Sequence, residues 1–372
     1  MSSLSNLTIV IFTYNRHRYV LRNLALWSGD EATVHVLDGS NESIGAGSLS
    51  NLNPNIKYHH LPVSIWERLE KGVALVDTKY VAFLADDEFF IPSALGASII
   101  ELEADRELVA CCGRGIDKIL AADLVVSAAA IENNVKVYKR QSSGEVGLDD
   151  PLERMIWHMN PYVPSSIYAV CRSDEWKKAV LSSVMRQYSS GGPLFEIQFE
   201  LSMSFLGKVK VINELMWLRT AENPSHSGFG LEFHSWFVDP LYAQEVDDFL
   251  NMTAKGLVMT GAQDFQSVRS GLARACLAYV AYCAGNDVFG QSRQTTPITK
   301  ARTSRVSVEL KRAVKKLISR LPSPLTAMLP ARLRFRPYVE IAKALESVGL
   351  RVDWDQLTTI LETVRKFHGT KT

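Results

Sequence analysis

Three consecutive acids, Asp86-Asp87-Glu88, follow an apolar run from Tyr80 to Ala85. Carboxylates this close repel one another unless a cation or positive groups sit among them. One chemistry answers that need: the oxygens hold a divalent ion, Mn2+ or Mg2+, which in turn holds the phosphates of a substrate. A solvated acidic turn after a strand is the other reading. Two more polar clusters follow apolar runs. Thr13-Tyr14-Asn15-Arg16 follows Leu7 to Phe12, and Asp38-Gly39-Ser40 follows Ala32 to Leu37. Thr13 and Tyr14 offer backbone and ring contacts to a base. Asp38 can accept from a base N–H or a ribose hydroxyl. A nucleotide with a diphosphate suits the three clusters together; turn chemistry at strand ends is the plainer alternative for Thr13 and Asp38.

The elements that must position them are short. Leu7 to Phe12 is apolar and β-branched, as a strand buried on both faces is. A helix is predicted from about Tyr19 to Trp27, with Val20, Leu21, Leu24 and Trp27 on one face. Strands are predicted over 32–37 and 56–59, a helix over 65–76, and a strand over 80–85. Pro92 then opens a helix. The first ninety residues thus read as a doubly wound, mainly parallel α/β sheet with helices on both faces. All three polar clusters fall at C-terminal strand ends, on the edge where such sheets bind ligands.

Further on, 108–112, 166–171, 208–212 and 215–220 read as strands and 119–138 as hairpin strands or a helix. Segment 142–147 reads as a loop and 151–159 as a helix. Ser173 is expected to cap a helix, and Gly207 to stop one that opens at Pro193 or Leu194. Beyond a boundary near 236–240 the pattern turns all-helical, with helices over 239–255, 263–284, 304–321, 337–348 and 354–367. The expected domains are therefore 1–238 and 239–372.

Bulk properties narrow the classes. The 372 residues are 47% hydrophobic and 22% charged, so a packed core is expected. A net charge of +1 gives no global attraction for nucleic acid. Five scattered cysteines form no metal-ligand pattern and fit a reducing compartment. No signal-peptide pattern and no run of about eighteen apolar residues occurs. The expected location is the cytoplasm, or the inner face of the cell membrane as a peripheral protein.

Thr8 to Arg16, Asp38-Gly39-Ser40 and Leu84 to Glu88 resemble the nucleotide-binding half of family-2-type glycosyltransferases of the GT-A fold. The resemblance covers roughly residues 7–100 well, 150–225 loosely and 240–372 not at all. It implies an inverting, metal-dependent sugar transfer from a nucleotide-sugar, a UDP-sugar, to a glycan or lipid-linked acceptor in surface polysaccharide synthesis. Thr13, Tyr14 and Asp38 would hold the base and ribose, with Asn15 and Arg16 beside them. Asp86 and Glu88 would match the first and third acids of the family's motif and take the metal, with Asp87 at the ribose or sugar. There are departures: the third acid is Glu rather than Asp, and Arg68-Leu69-Glu70 stands where many relatives have Ala-Arg-Asn. The donor-phosphate contact expected there would fall to Arg68.

The family places its general base at the start of a late helix, about eleven residues before a Gly-Lys turn. Glu196 stands eleven residues before Gly207-Lys208. Glu200, one helical turn on, shares its face and is the alternative; a solvated helix face would explain both. Some relatives draw a further metal contact from the region of His226. Two alternatives stay in view. A sugar nucleotidyltransferase would normally show a Gly-rich phosphate loop, and Thr13 to Arg18 contains no glycine. A degenerate glycosyltransferase-fold binding subunit would have no need of the acids at 86–88 and 196–200.

Residues 300–336 carry eleven Lys and Arg residues against Glu309 alone. Leu310, Val314, Leu317, Ile318 and Leu321 form one helical stripe opposite them. A basic amphipathic helix suits an anionic membrane surface; a helix packed on the catalytic domain, or a homodimer interface among the C-terminal helices, are the other readings. Aromatics are not interleaved, which speaks against nucleic acid.

Overall fold

The computed structural model describes residues 4–29, 31–120, 124–127, 131–132, 135, 145–184, 188, 192–220, 231–259, 263–289 and 335–369. His226, the expected helix over 304–321 and most of the basic segment 300–336 lie outside them.

The chain opens as expected. Strand β1 (Leu7–Thr13), helix α1 (His17–Trp27), β2 (Thr33–Asp38), β3 (Ile56–His60), α2 (Ile65–Leu75) and β4 (Tyr80–Ala85) follow in order. Ile9, Val10 and Ile11 are fully buried, each contributing about 1.5–3 kcal/mol of burial. Ser64 and Glu67 start α2 with a reciprocal capping box, which satisfies two end donors.

Beyond β4 come β5 (Phe89–Phe90), α3 (Pro92–Ala104), β6 (Leu108–Leu120), β7 (Val125–Ser127), α4 (Pro151–His158), β8 (Val170–Arg172), α5 (Ser173–Val184), α6 (Gly192–Leu206) and β9 (Lys208–Thr220). The last third holds α7 (Phe233–Val238), α8 (Ala243–Val258), α9 (Phe265–Phe289), β10 (Phe335–Pro337), α10 (Val339–Glu346) and α11 (Trp354–Gly369). The main sheet runs β3-β2-β1-β4-β8-β6-β9-β5. β1 to β4 are mutually parallel, β8 opposes both its neighbours, β6 and β9 are parallel, and β5 opposes β9. The result is an α/β, Rossmann-like, mainly parallel sheet with a largely helical C-terminal region.

Several local expectations are corrected. Segment 166–168 is a 3-10 turn and the strand begins only at Val170, because the backbone N–H groups of 165–167 turn onto the Glu200 carboxylate. β5 separates the acids from α3, because Phe89 and Phe90 pair with Leu218 and Trp217. The two strands expected over 208–220 are one, since register shifts against β6 absorb the Ile212–Leu215 irregularity. The Ser173 hydroxyl makes no capping bond among the described residues. Phe335–Pro337 pairs with β7, so the C-terminal region is not all helix. Gly207 does end α6: a Cβ there would sit 2.1 Å from Val109 Cγ1.

Two cores form. One surrounds the sheet and includes Ile341, Leu345, Leu357, Ile360 and Val364 of α10 and α11. The other joins Met155, Leu194 and Leu201 to Trp236, Phe249 and Leu272. Helix α6 faces both, with Phe199 and Met203 in the first and Ile197 and Phe205 in the second. A helix apolar on opposite sides is buried between layers, so the solvated-face reading of its two glutamates fails. No described helix is long and apolar enough to cross a membrane.

Candidate active site

Strand order alone places the crevice. β2 and β3 lie on one side of β1 and β4 on the other. With right-handed crossovers, α1 and α2 cover opposite faces, and the chain parts between β1 and β4. Register then aligns the clusters. Thr13 pairs with Asp38, and Phe12 pairs with Ala85. Thr13 therefore stands between Asp38 and Asp86, and its Oγ1 donates to Asp86 Oδ2 at 2.8 Å.

The β1–α1 connection turns at Asn15, which has φ of +55°; asparagine tolerates that left-handed region better than most residues. Arg16 follows, and its guanidinium lies 3.1 Å from Asp86 Oδ1 and 3.5 Å from Asp87 Oδ2. Arg16 lines a cleft of about 500 Å³ with Asn15, His17, Arg18, Tyr19, Asn41 and Glu42. Tyr14 presents an exposed ring at the same strand end.

Asp38 is fully buried. It accepts from Ser40 N and Oγ, from Tyr58 OH at 2.6 Å, and pairs with His17 Nε2 at 3.0 Å. Burial raises its pKa, but the Ser40 and Tyr58 hydrogen bonds and His17 outweigh this and hold it below the usual value. Its carboxylate thus fixes the 38–40 turn. Arg68 is also buried, and its Nη1 donates to the carbonyls of Thr13 and Leu37. Burial lowers its pKa. It braces two strand ends across Gly39, where a Cβ would lie 2.4 Å from its Cζ.

Glu88 turns the other way. Its Oε2 accepts from Trp217 Nε1 at 2.8 Å, and Arg219 Nε stands 3.6 Å from Oε1. Trp217 is held by Tyr168, stacked at 4.0 Å, and by Gly115, where a Cβ would meet its ring at 2.3 Å. Asn23 anchors the acid turn from below, donating to the carbonyls of Ala85 and Glu88. Trp217 and Arg219 were not singled out for the site from sequence; their i, i+2 spacing at a strand end, which aims both side chains to one face, was the available signal.

Burial, reinforced by the neighbouring Asp87, pushes Asp86 up to about 6. Burial also pushes Glu88 up to about 7, against the opposing pulls of Trp217 and Arg219. A raised carboxyl contributes stability that is present below its unfolded value and lost as pH rises through the folded value. Glu88→Gln suffers no such loss. Its stability relative to the wild type is expected to rise by about 3 kcal/mol between pH 4 and pH 8, read from urea unfolding at the two pH values. A constant difference would show that Glu88 is not the group described.

The fit to a divalent ion can be judged from these contacts. Both Asp86 oxygens face Thr13 and Arg16, and Glu88 points away toward Trp217 and Arg219. No three His, Cys, Asp or Glu side chains converge on one point among the described residues. As arranged, the acids do not fit an ion that wants about six oxygen ligands.

Glu196 and Glu200 differ sharply. Glu200 is fully buried and pairs with His158 Nε2 at 2.9 Å. It also accepts from the backbone N–H groups of Ser165, Ser166 and Ile167. Glu196 is half-buried and accepts from Tyr162 OH at 2.8 Å. Burial raises its pKa, with Tyr162 and Arg219 pulling the other way. The charge of Arg219, which pairs with Glu88, also acts on Glu196.

No protein-family model matches the chain, and a comparison with curated proteins finds no match. Among solved structures, the chain is similar to residues 1–349 of S. aureus TarS, at 13% identity over 98% of this chain and 92% of that one, with a TM-score of 0.45. The same fragment in complex with UDP-GlcNAc gives 12% identity over the same shares and a TM-score of 0.46. The mannosyltransferase PcManGT from Pyrobaculum calidifontis, in complex with GDP-Man and Mn2+, gives 12% identity over 94% and 87% and a TM-score of 0.37.

Proposed function

We propose that this chain is a glycosyltransferase that moves a sugar from a nucleotide-sugar to a hydroxyl of a glycan or lipid-linked acceptor. The observation that carries the reading is the register of Thr13 with Asp38 on one side and Asp86 on the other, at the point where the strand order reverses. The nucleoside lies over Tyr14 and the rigid 38–40 turn. Asp38 and Arg68 act as braces for that surface. The diphosphate lies toward Arg16 and the acid turn. The donor is a UDP-sugar, the outcome is inversion, and the product belongs to surface polysaccharide synthesis.

In the transfer, the acceptor oxygen forms a bond to the anomeric carbon as the bond to the diphosphate oxygen breaks. The departing nucleoside diphosphate takes the electron pair. Glu196 takes the acceptor's proton. The raised pKa suits that role, because a stronger base accepts a proton more readily near neutral pH. Arg219 and Arg16 face the charge that develops on the leaving group. The basic segment 300–336 docks the chain on an anionic membrane surface carrying a lipid-linked acceptor; its eleven cationic residues support this.

The test is release of nucleoside diphosphate from a panel of nucleotide-sugars. Release from one donor, lost in Thr13→Val and in Glu196→Gln, is the expected result. A panel without release would leave the binding-subunit alternative.

A further inference from the structure

Three adjacent carboxylates need positive charge, and the β1–α1 connection beside them already supplies it. We infer that the Arg16 guanidinium does here what a divalent cation does in a metal-dependent transferase: it bridges Asp86 and Asp87 to the donor diphosphate, so that donor binding needs no divalent ion. This rests on the nucleotide-sugar reading above.

Three observations carry it. Arg16 sits against both Asp86 and Asp87, at 3.1 and 3.5 Å. It is fixed there by the left-handed turn at Asn15, whose N–H donates to Ser40 Oγ at 2.7 Å. Thr13 takes the other Asp86 oxygen, and Trp217 with Arg219 draws Glu88 away, so the acids are committed to side chains rather than gathered round a vacant point. Lastly, Arg16 lines the cleft beside Arg18 and His17. A planar guanidinium matches phosphate oxygens in a fixed fork, and it can face carboxylates on one edge and phosphate on another. Nothing in this arrangement calls for a metal to bring like charges together.

The 372-residue chain is titrated with UDP- and GDP-linked sugars, read by thermal stabilisation, in EDTA and in Mn2+. Affinities that agree within about twofold between the two are expected. Binding seen only with Mn2+, or tightened more than about tenfold by it, overturns the proposal while leaving the donor reading intact. Arg16→Ala should lose about 10- to 100-fold in EDTA, the effect of a charge-assisted hydrogen bond, and should become responsive to Mn2+ once the acids are released. Arg16→Lys keeps the charge and loses the fork, so it guards against misfolding of the alanine variant; about tenfold weaker binding is expected. Wild-type affinity in either variant in EDTA overturns the proposal. If no nucleotide-sugar binds in any arm, the donor reading fails and this inference falls with it.

Discussion

Glu196→Gln is expected to lower transfer by about 10²- to 10⁴-fold, the range a positioned general base supplies, while donor affinity stays within about twofold. The asymmetry follows from place. Glu196 lies on α6, braced between two cores, and its carboxylate accepts from Tyr162 and feels the charge of Arg219. Gln keeps the shape and the bond from Tyr162 but cannot take a proton. The sign of the pH dependence follows too. The base works deprotonated, and its pKa lies above the ordinary carboxyl value, so the rate should climb as pH rises through that raised value. Tyr162 pulls the pKa down. Tyr162→Phe should therefore move the rising limb to higher pH. A limb that stays in place, or equal losses in donor affinity and rate for Glu196→Gln, would remove Glu196 from the proton transfer.

Glu200→Ala should instead cost about 3–5 kcal/mol of folding stability. Its loss leaves His158 and three backbone N–H groups without their acceptor at a largely buried position, and orphaned buried polar groups carry the full desolvation cost. Urea unfolding measures it. A change under about 1 kcal/mol accompanied by loss of transfer would give Glu200 a chemical role. The 165–167 turn that Glu200 gathers leads into β8, the strand opposed to both β4 and β6. The carboxylate thus supports the join between the two halves of the sheet. Two glutamates one helical turn apart thus differ in place: Glu200 holds the frame, and Glu196 is the one proposed to meet the substrate.

What the sequence made legible was whatever local pattern determines. The runs at 7–12, 32–37 and 80–85 are apolar because both faces of those strands are buried, and each ends in its polar cluster because the next residues emerge at the edge. The order of the strands put Thr13, Asp38 and Asp86 together. What was hidden depended on partners distant in sequence. β5 exists because Phe89 and Phe90 meet Leu218 and Trp217 more than a hundred residues away. Glu88's orientation is set by Trp217, and Glu200's role by a turn at 165–167. The acid triplet read as a metal site because three carboxylates need a cation; that Arg16 reaches two of them depends on the turn at Asn15, which residue types alone do not specify.

The central claim is that a nucleoside diphosphate-sugar binds in the crevice between β1 and β4. Calorimetric titration of the folded wild type and of Thr13→Val with a panel of nucleotide-sugars tests it directly. One nucleotide preferred by at least about tenfold, with that preference abolished by the Thr13 change, is the result this account predicts. Equal, weak binding of every nucleotide, unaffected by Thr13→Val, would contradict it.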